Sequence, residues 1–259
     1  MANSDLVVVK LGGTTLAEQQ PTLTEIAELS HRRELVIVHG GGKRLTDWLD
    51  RLDISSRFAG GLRVTDDAAL EVAVAVLGGL VNAELVAALR GLGADAVGLT
   101  GIDGGLLDCR RQPALGRVAT VQGARPSLLY ALFAAGMLPV IAPLAQDEKG
   151  EVCNVNADDV AAGLAGALHA RLVLLTDTDG VRDAAGRPIR ALDEPAAERL
   201  IADGVIDGGM LPKVRGALAA LRSGGSEVVI ADGGAAQALQ RALENGSFGT
   251  RLRLSSAGD

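Results

Sequence analysis

The 259-residue chain is long enough for one large α/β domain or two closely joined lobes. Hydrophobic residues make up 48% of it and aromatics only 2%, so the core has to be built from Ala, Val, Leu and Ile, a palette that suits a parallel sheet covered by small-residue helices. A net charge of −7 argues against a nucleic-acid surface, no apolar run reaches the ~18 residues of a membrane span, and the N-terminus lacks the basic and apolar regions of a signal peptide, so the chain reads as cytoplasmic.

In chain order, Leu6–Leu11 reads as the first strand and runs into Lys10-Leu11-Gly12-Gly13-Thr14-Thr15. A Lys at the carboxyl end of a first parallel strand, followed by paired glycines, sits where α/β folds bind ligands. Without Cβ atoms the glycine N–H groups are open to phosphate oxygens. An ordinary tight turn with a solvated Lys would read the same way. The second strand, Leu35–His39, ends in His39-Gly40-Gly41-Gly42, a plausible anion nest. His39 itself reads as a packed or capping residue. There is no GxxxxGK[ST], and no G-x-G-x-x-G follows a strand, so neither a Walker loop nor a dinucleotide fingerprint is present.

Next comes Gly61-Leu62-Arg63-Val64-Thr65-Asp66-Asp67. Thr65 reads as the cap of a helix over Asp66–Leu92 with two acids in its first turn. Arg63 can hold a carboxylate through its bidentate fork, or form a surface salt bridge to Asp66 or Asp67. Strands are expected at Ala96–Thr100 and Leu138–Ala142, and a turn at 146–151. In Asn154-Val155-Asn156-Ala157-Asp158-Asp159, Asn156 is a plausible cap for a helix over Asp158–His169, while capping does not explain Asn154. A strand at Leu172–Thr176 leads into Asp177-Thr178-Asp179-Gly180-Val181, which could border a nucleotide. Gly208-Gly209-Met210-Leu211-Pro212-Lys213 sets a Lys after a glycine turn, with Pro in the first helical turn. A helix over Lys213–Leu221, a strand at Glu227–Ala231, a helix over Ala235–Leu243 and a disordered tail at Ser255–Asp259 complete the pattern. The alternation predicts a three-layer αβα sandwich around an open, mostly parallel sheet.

Of 25 basic residues only four are lysines: Lys10, Lys43, Lys149 and Lys213. Cys109 and Cys153 form no CxxC pair, and His31, His39 and His169 have no metal-ligand spacing. No protein-held metal is expected.

These segments, in this order, resemble the amino-acid kinase superfamily and, within it, the acetylglutamate kinase family. The likeness runs from Lys10 to about Arg251 and also takes in Leu80-Val-Asn and Gly98-Leu-Thr-Gly. It implies ATP-dependent phosphorylation of the side-chain carboxylate of N-acetylglutamate, in arginine biosynthesis. On that reading Lys10 and Lys213 flank the transferred phosphoryl group and Asp158 orients both. Gly41, Gly42, Arg63 and Asn154 bind the substrate. Gly12, Gly13, Asp177, Thr178, Asp179, Gly180, Val181, Val205, Ile206 and Asp207 line the nucleotide, with Mg2+ carried by the phosphates. The acceptor falls to an N-lobe of residues 1–170 and ATP to a C-lobe of residues 171–259. Ile102 departs from the pattern, standing where many relatives carry Lys. The chain starts almost at its first strand, where arginine-inhibited relatives carry an extra helix, so the likeness implies a homodimer without that feedback. An acetylaminoadipate-type kinase, one methylene away and separable by only ~1–3 kcal/mol of pocket energy, and a catalytically silent sensor on the same fold are the alternatives.

Overall fold

The computed structural model describes residues 6–12, 20–244 and 246–254; the expected disorder at Ser255–Asp259 and the position of Gly13 lie outside them. Runs such as Val7–Leu11 and Leu35–His39 are apolar at nearly every position and buried on both faces, as inner strands of a covered parallel sheet have to be. They belong to an eight-stranded sheet in the order Ala191–Asp193, Thr250–Arg253, Glu227–Asp232, Arg171–Thr176, Val7–Leu11, Leu35–His39, Leu138–Ala142, Ala96–Thr100. The last six strands of that order run parallel, and Thr250–Arg253 meets Glu227–Asp232 antiparallel. All six strands expected from the sequence lie here, each within one residue at either end.

Alternate residues of the inner strands feed two cores. Val8, Leu172, Leu174, Val228 and Ile230 pack with helices Ala157–Ala167 and Met210–Arg222. Val7, Val9, Val173, Leu175 and Val229 pack with Gln20–Ser30, Ala238–Leu243 and the C-terminal part of a long helix over Asp67–Gly91. This is the αβα sandwich.

A four-stranded sheet, Leu107–Arg111, Val118–Ala124, Val152–Val155 and Leu144–Gln146, carries Asn154. A two-stranded hairpin, Arg57–Ala59 with Leu62–Val64, carries Arg63. The hairpin's central Gly60 and Gly61 have φ of 57° and 80°, the conformation a tight turn between twisted strands demands.

Two expectations change. Asp66, not Thr65, caps the long helix, its side chain accepting the Ala69 N–H at 2.8 Å; Thr65 is wholly buried and bonds elsewhere. That helix is also apolar and long enough to pass for a membrane span, with a mean hydropathy of 2.1 over its best window. It instead packs Ala69, Val72, Ala73, Val76, Leu77, Leu85 and Leu89 into the protein. Its middle, Val74–Val81, is wound as π-helix around Gly78 and Gly79.

Candidate active site

Three neighbouring strands, Leu35–His39, Val7–Leu11 and Arg171–Thr176, end on one rim of the sheet. The chain leaves the middle strand toward one side and the Arg171–Thr176 strand toward the other, which makes this rim a topological switch point, where open α/β sheets bind ligands. Gly12 crosses the rim tightly. A Cβ there would lie 2.8 Å from the Leu175 carbonyl oxygen.

Lys10 shares its face of the sheet with Val8 and reaches the start of the Ala157–Ala167 helix. Asn156 caps that helix, its Oδ1 accepting the Asp158 N–H at 2.7 Å. Asp158 is thereby fixed in the first turn, where the helix dipole favours a carboxylate. Lys10 Nζ stands 2.9 Å from Asp158 Oδ1, and Lys213 Nζ, from the first turn of the Met210–Arg222 helix, 3.5 Å from Oδ2. Burial pushes the Asp158 carboxyl up, but the two ammonium groups outweigh it and hold the carboxyl below its ordinary value. Two ammonium groups are thus held side by side on one buried carboxylate, an arrangement that suits a phosphoryl group.

Beside it lies a cavity of about 190 Å³ whose walls include Gly41, Gly42, Arg63 and Asn154. All four residues assigned to substrate from the sequence therefore meet in one place. Gly41 has φ 135°, and a Cβ on it would strike Leu77 of the π-segment at 2.7 Å. Among the described residues neither the Gly41 nor the Gly42 N–H has an acceptor. Arg63 Nη2 donates to the Gly42 carbonyl at 3.1 Å and to Thr46 Oγ1 at 2.8 Å, Nη1 bonds Ser56 Oγ, and the guanidinium stacks on Phe58 at 4.7 Å. These partners are neutral. The salt bridge to Asp66 or Asp67 is not formed, because Asp66 caps its helix and Asp67 pairs with Arg117 at 2.5 Å. Burial lowers the Arg63 pKa, against the pull of Asp50. Asn154 Nδ2 donates one hydrogen to the buried Thr65 hydroxyl at 3.3 Å, which orients the amide and leaves its oxygen able to accept.

The residues assigned to nucleotide are more dispersed. Asp177 follows its strand directly; a bond from Thr176 Oγ1 at 2.9 Å, then its own backbone and the fields of Lys213 and Lys10, hold its carboxyl low, so it adjoins the lysine pair. Thr178 is exposed beside it, and Asp179 pairs with Arg182 at 3.0 Å on the surface. Gly180 has φ 122° and passes close to Thr250, whose Oγ1 accepts the N–H of the buried Val181 at 2.8 Å. Val205 is half-buried, Ile206 belongs to the core, and the Asp207 carbonyl accepts the Met210 and Leu211 N–H groups that open the Lys213 helix. Sequence reasoning missed Thr65 and Thr46 as orienters of Asn154 and Arg63, since nothing local marks a hydroxyl that works across the fold. It also gave no role to Asn82, the one polar side chain in an otherwise apolar run.

The chain belongs to the amino acid kinase family, whose model matches residues 5–232. Within it, the chain is 44% identical over 252 residues to the acetylglutamate kinase of Solibacter usitatus, covering 95% of this chain and 98% of that one. It is also 44% identical over 257 residues to the acetylglutamate kinase of Rubrobacter xylanophilus, covering 97% and 98%. Among solved structures, smu.665 from Streptococcus mutans superposes with a TM-score of 0.81 at 25% identity over 96% of this chain and 98% of that one. Carbamate kinase from Giardia lamblia, bound to AMP-PNP, gives 0.70 at 17% over 98% and 100%, which speaks to fold alone.

Proposed function

We propose that the chain transfers the γ-phosphoryl group of ATP to the side-chain carboxylate of N-acetylglutamate, as the acetylglutamate kinase step of arginine biosynthesis. One observation carries the site assignment: two lysines from different elements converge on buried Asp158 beside a cavity holding two unpaired glycine N–H groups, an arginine and an asparagine. The full-length likeness to acetylglutamate kinases at 44% identity supports the substrate.

The chemistry follows from these groups. The acceptor carboxylate is ionised at neutral pH and needs no general base. Its oxygen forms a bond to the γ-phosphorus as the bond to the ADP oxygen breaks, and charge moves onto the leaving group. Lys10 and Lys213 stabilise that charge, and Asp158 holds both in register. The Gly41 and Gly42 N–H groups and Arg63 hold anionic oxygens of the acceptor; the Asn154 oxygen suits its amide N–H. ATP is held from residues 171–259 and the acceptor from residues 1–170. Mg2+ would be carried by the phosphates and neutralise them there. The enzyme is read as a cytoplasmic homodimer. Only 39% of the apolar window of the Asp67–Gly91 helix is buried, Val74, Tyr130 and Met137 are exposed, and Ala96–Thr100 is an open sheet edge.

A coupled assay of ADP release with acetylglutamate, acetylaminoadipate and aspartate tests the reading. Turnover should be fastest with acetylglutamate. A preference for acetylaminoadipate, or no ADP release with any of the three, would overturn it.

A further inference from the structure

We propose that His39 is a positioning residue for phosphoryl transfer: its imidazole fixes the Gly40–Gly41 peptide so that the Gly41 N–H faces the acceptor, and Asn82 locks the imidazole. The inference rests on the reading of Gly41 as a substrate donor and deepens it.

His39 is 2% exposed at the end of its strand. Its Nδ1 lies 2.7 Å from the Gly40 carbonyl oxygen, and its Nε2 lies 3.1 Å from Asn82 Nδ2. Burial pushes its pKa down to about 4, so the ring is neutral and carries a single N–H. A carbonyl can only accept, so the proton sits on Nδ1 and Nε2 is the acceptor. Asn82 Nδ2 supplies that acceptor with one hydrogen and gives its other to the Val140 carbonyl at 3.0 Å. A flipped amide would set oxygen against both acceptors. The Asn82 oxygen in turn fills the place a side chain at position 98 would need, 2.0 Å from an ideal Cβ on Gly98. The His39-Gly-Gly-Gly, Leu80-Val-Asn and Gly98-Leu-Thr-Gly segments are therefore one device, and each polar atom in it has one assignment.

The device reaches the site through a single peptide plane. In a trans peptide the C=O of one residue and the N–H of the next point in opposite directions. Holding the Gly40 oxygen thus aims the Gly41 N–H, on a residue whose φ of 135° and missing Cβ would otherwise let that plane turn cheaply. The neighbouring ends of the loop are pinned too. Gly40 N–H donates to Leu11, Leu45 N–H to the Gly41 carbonyl, and Arg63 to the Gly42 carbonyl. Among the described residues the Gly40 carbonyl has only His39.

The test compares His39→Leu with His39→Asn, whose amide nitrogen can take the place of Nδ1 but cannot serve Asn82. Both should lose thermal stability to a similar degree. His39→Leu should lower kcat for acetylglutamate about tenfold or more with the KM for ATP unchanged, and His39→Asn should recover most of that loss. Equal kcat in the two variants would overturn the proposal, because a purely structural role follows stability. Nitrogen NMR of the wild-type imidazole is independent of how the variants fold: the Nδ1–H tautomer is expected, and an Nε2–H tautomer would overturn the assignment. A wild type that releases no ADP with acetylglutamate would count against the reading of the pocket, an outcome distinguishable from either of these.

Discussion

Lys10 and Lys213 share one carboxylate, yet they reach it from a strand and from a helix start. Lys10→Ala and Lys213→Ala should each reduce kcat by about 10²-fold or more, with KM changing far less, since the lost interaction is strongest in the transition state. Arg63 is different. Its partners are present before and during reaction, so Arg63→Ala should raise the KM for acetylglutamate strongly and leave that for ATP alone; an ammonium in Arg63→Lys cannot copy the fork and restores only part. Steady-state kinetics with each substrate varied separately read both effects. Asp159, next to Asp158, has its carboxyl raised from the ordinary 3.8 to about 6, by burial first and by Asp158 second. The folded chain therefore binds this proton more tightly than the unfolded chain. The stabilisation is complete below pH about 4 and is lost as the pH rises through about 6. Asp159→Asn should consequently gain on the wild type between pH 4 and 7, by up to roughly 3 kcal/mol; urea unfolding across that range measures it, and a constant difference would refute it.

At the scale of elements, the sequence made the interior legible and the margins obscure. Leu35–His39 and Leu138–Ala142 are read to the residue, because strands covered on both faces must be apolar throughout; Ala96–Thr100, at the sheet edge and buried only at Ala96, is bounded as clearly by the residues around it. The helices Gln20–Ser30, Gly42–Arg51, Ser127–Ala134 and Glu194–Ala202 gave no comparable signal and were missed. The same is true of Thr250–Arg253, whose alternate arginines look like surface. They are in fact the cover of Glu227, which is 3% exposed and paired with Arg171 Nε at 3.0 Å, Arg251 Nη1 at 3.0 Å and Arg253 Nη2 at 2.5 Å. Side-chain pairing across three strands leaves no mark in any one of them. The candidate site was legible for a similar reason in reverse: Lys10, Arg63, Asn154, Asp158 and Lys213 each sit beside a turn or cap that sequence can read. The hydroxyls of Thr46 and Thr65 orient Arg63 and Asn154 across the fold, and nothing local marks that role. Glu227→Gln should cost about 3 kcal/mol, the low end for a broken buried pair because Arg253 can turn to water. Urea unfolding would detect it, and a cost near zero would mean that all three arginines re-solvate.

For the whole molecule, the half-covered Asp67–Gly91 helix predicts assembly. Sedimentation should find twice the chain mass, and Val74→Glu, which sets a charge on the exposed apolar face, should shift the particle toward the single chain. A monomeric wild type would contradict the homodimer. The sheet order has a further consequence, for synthesis. Val7–Leu11 leaves the ribosome before either of its two partners, and one of them, Arg171–Thr176, comes about 160 residues later. At about 5–20 residues per second that is a wait of roughly 10–30 s. Throughout it, the nascent chain carries an apolar strand with one edge unpaired, open to any other strand that meets it. The strand that brings Lys10 to the site is made before either of its partners and is completed only when a segment about 160 residues further on has been made.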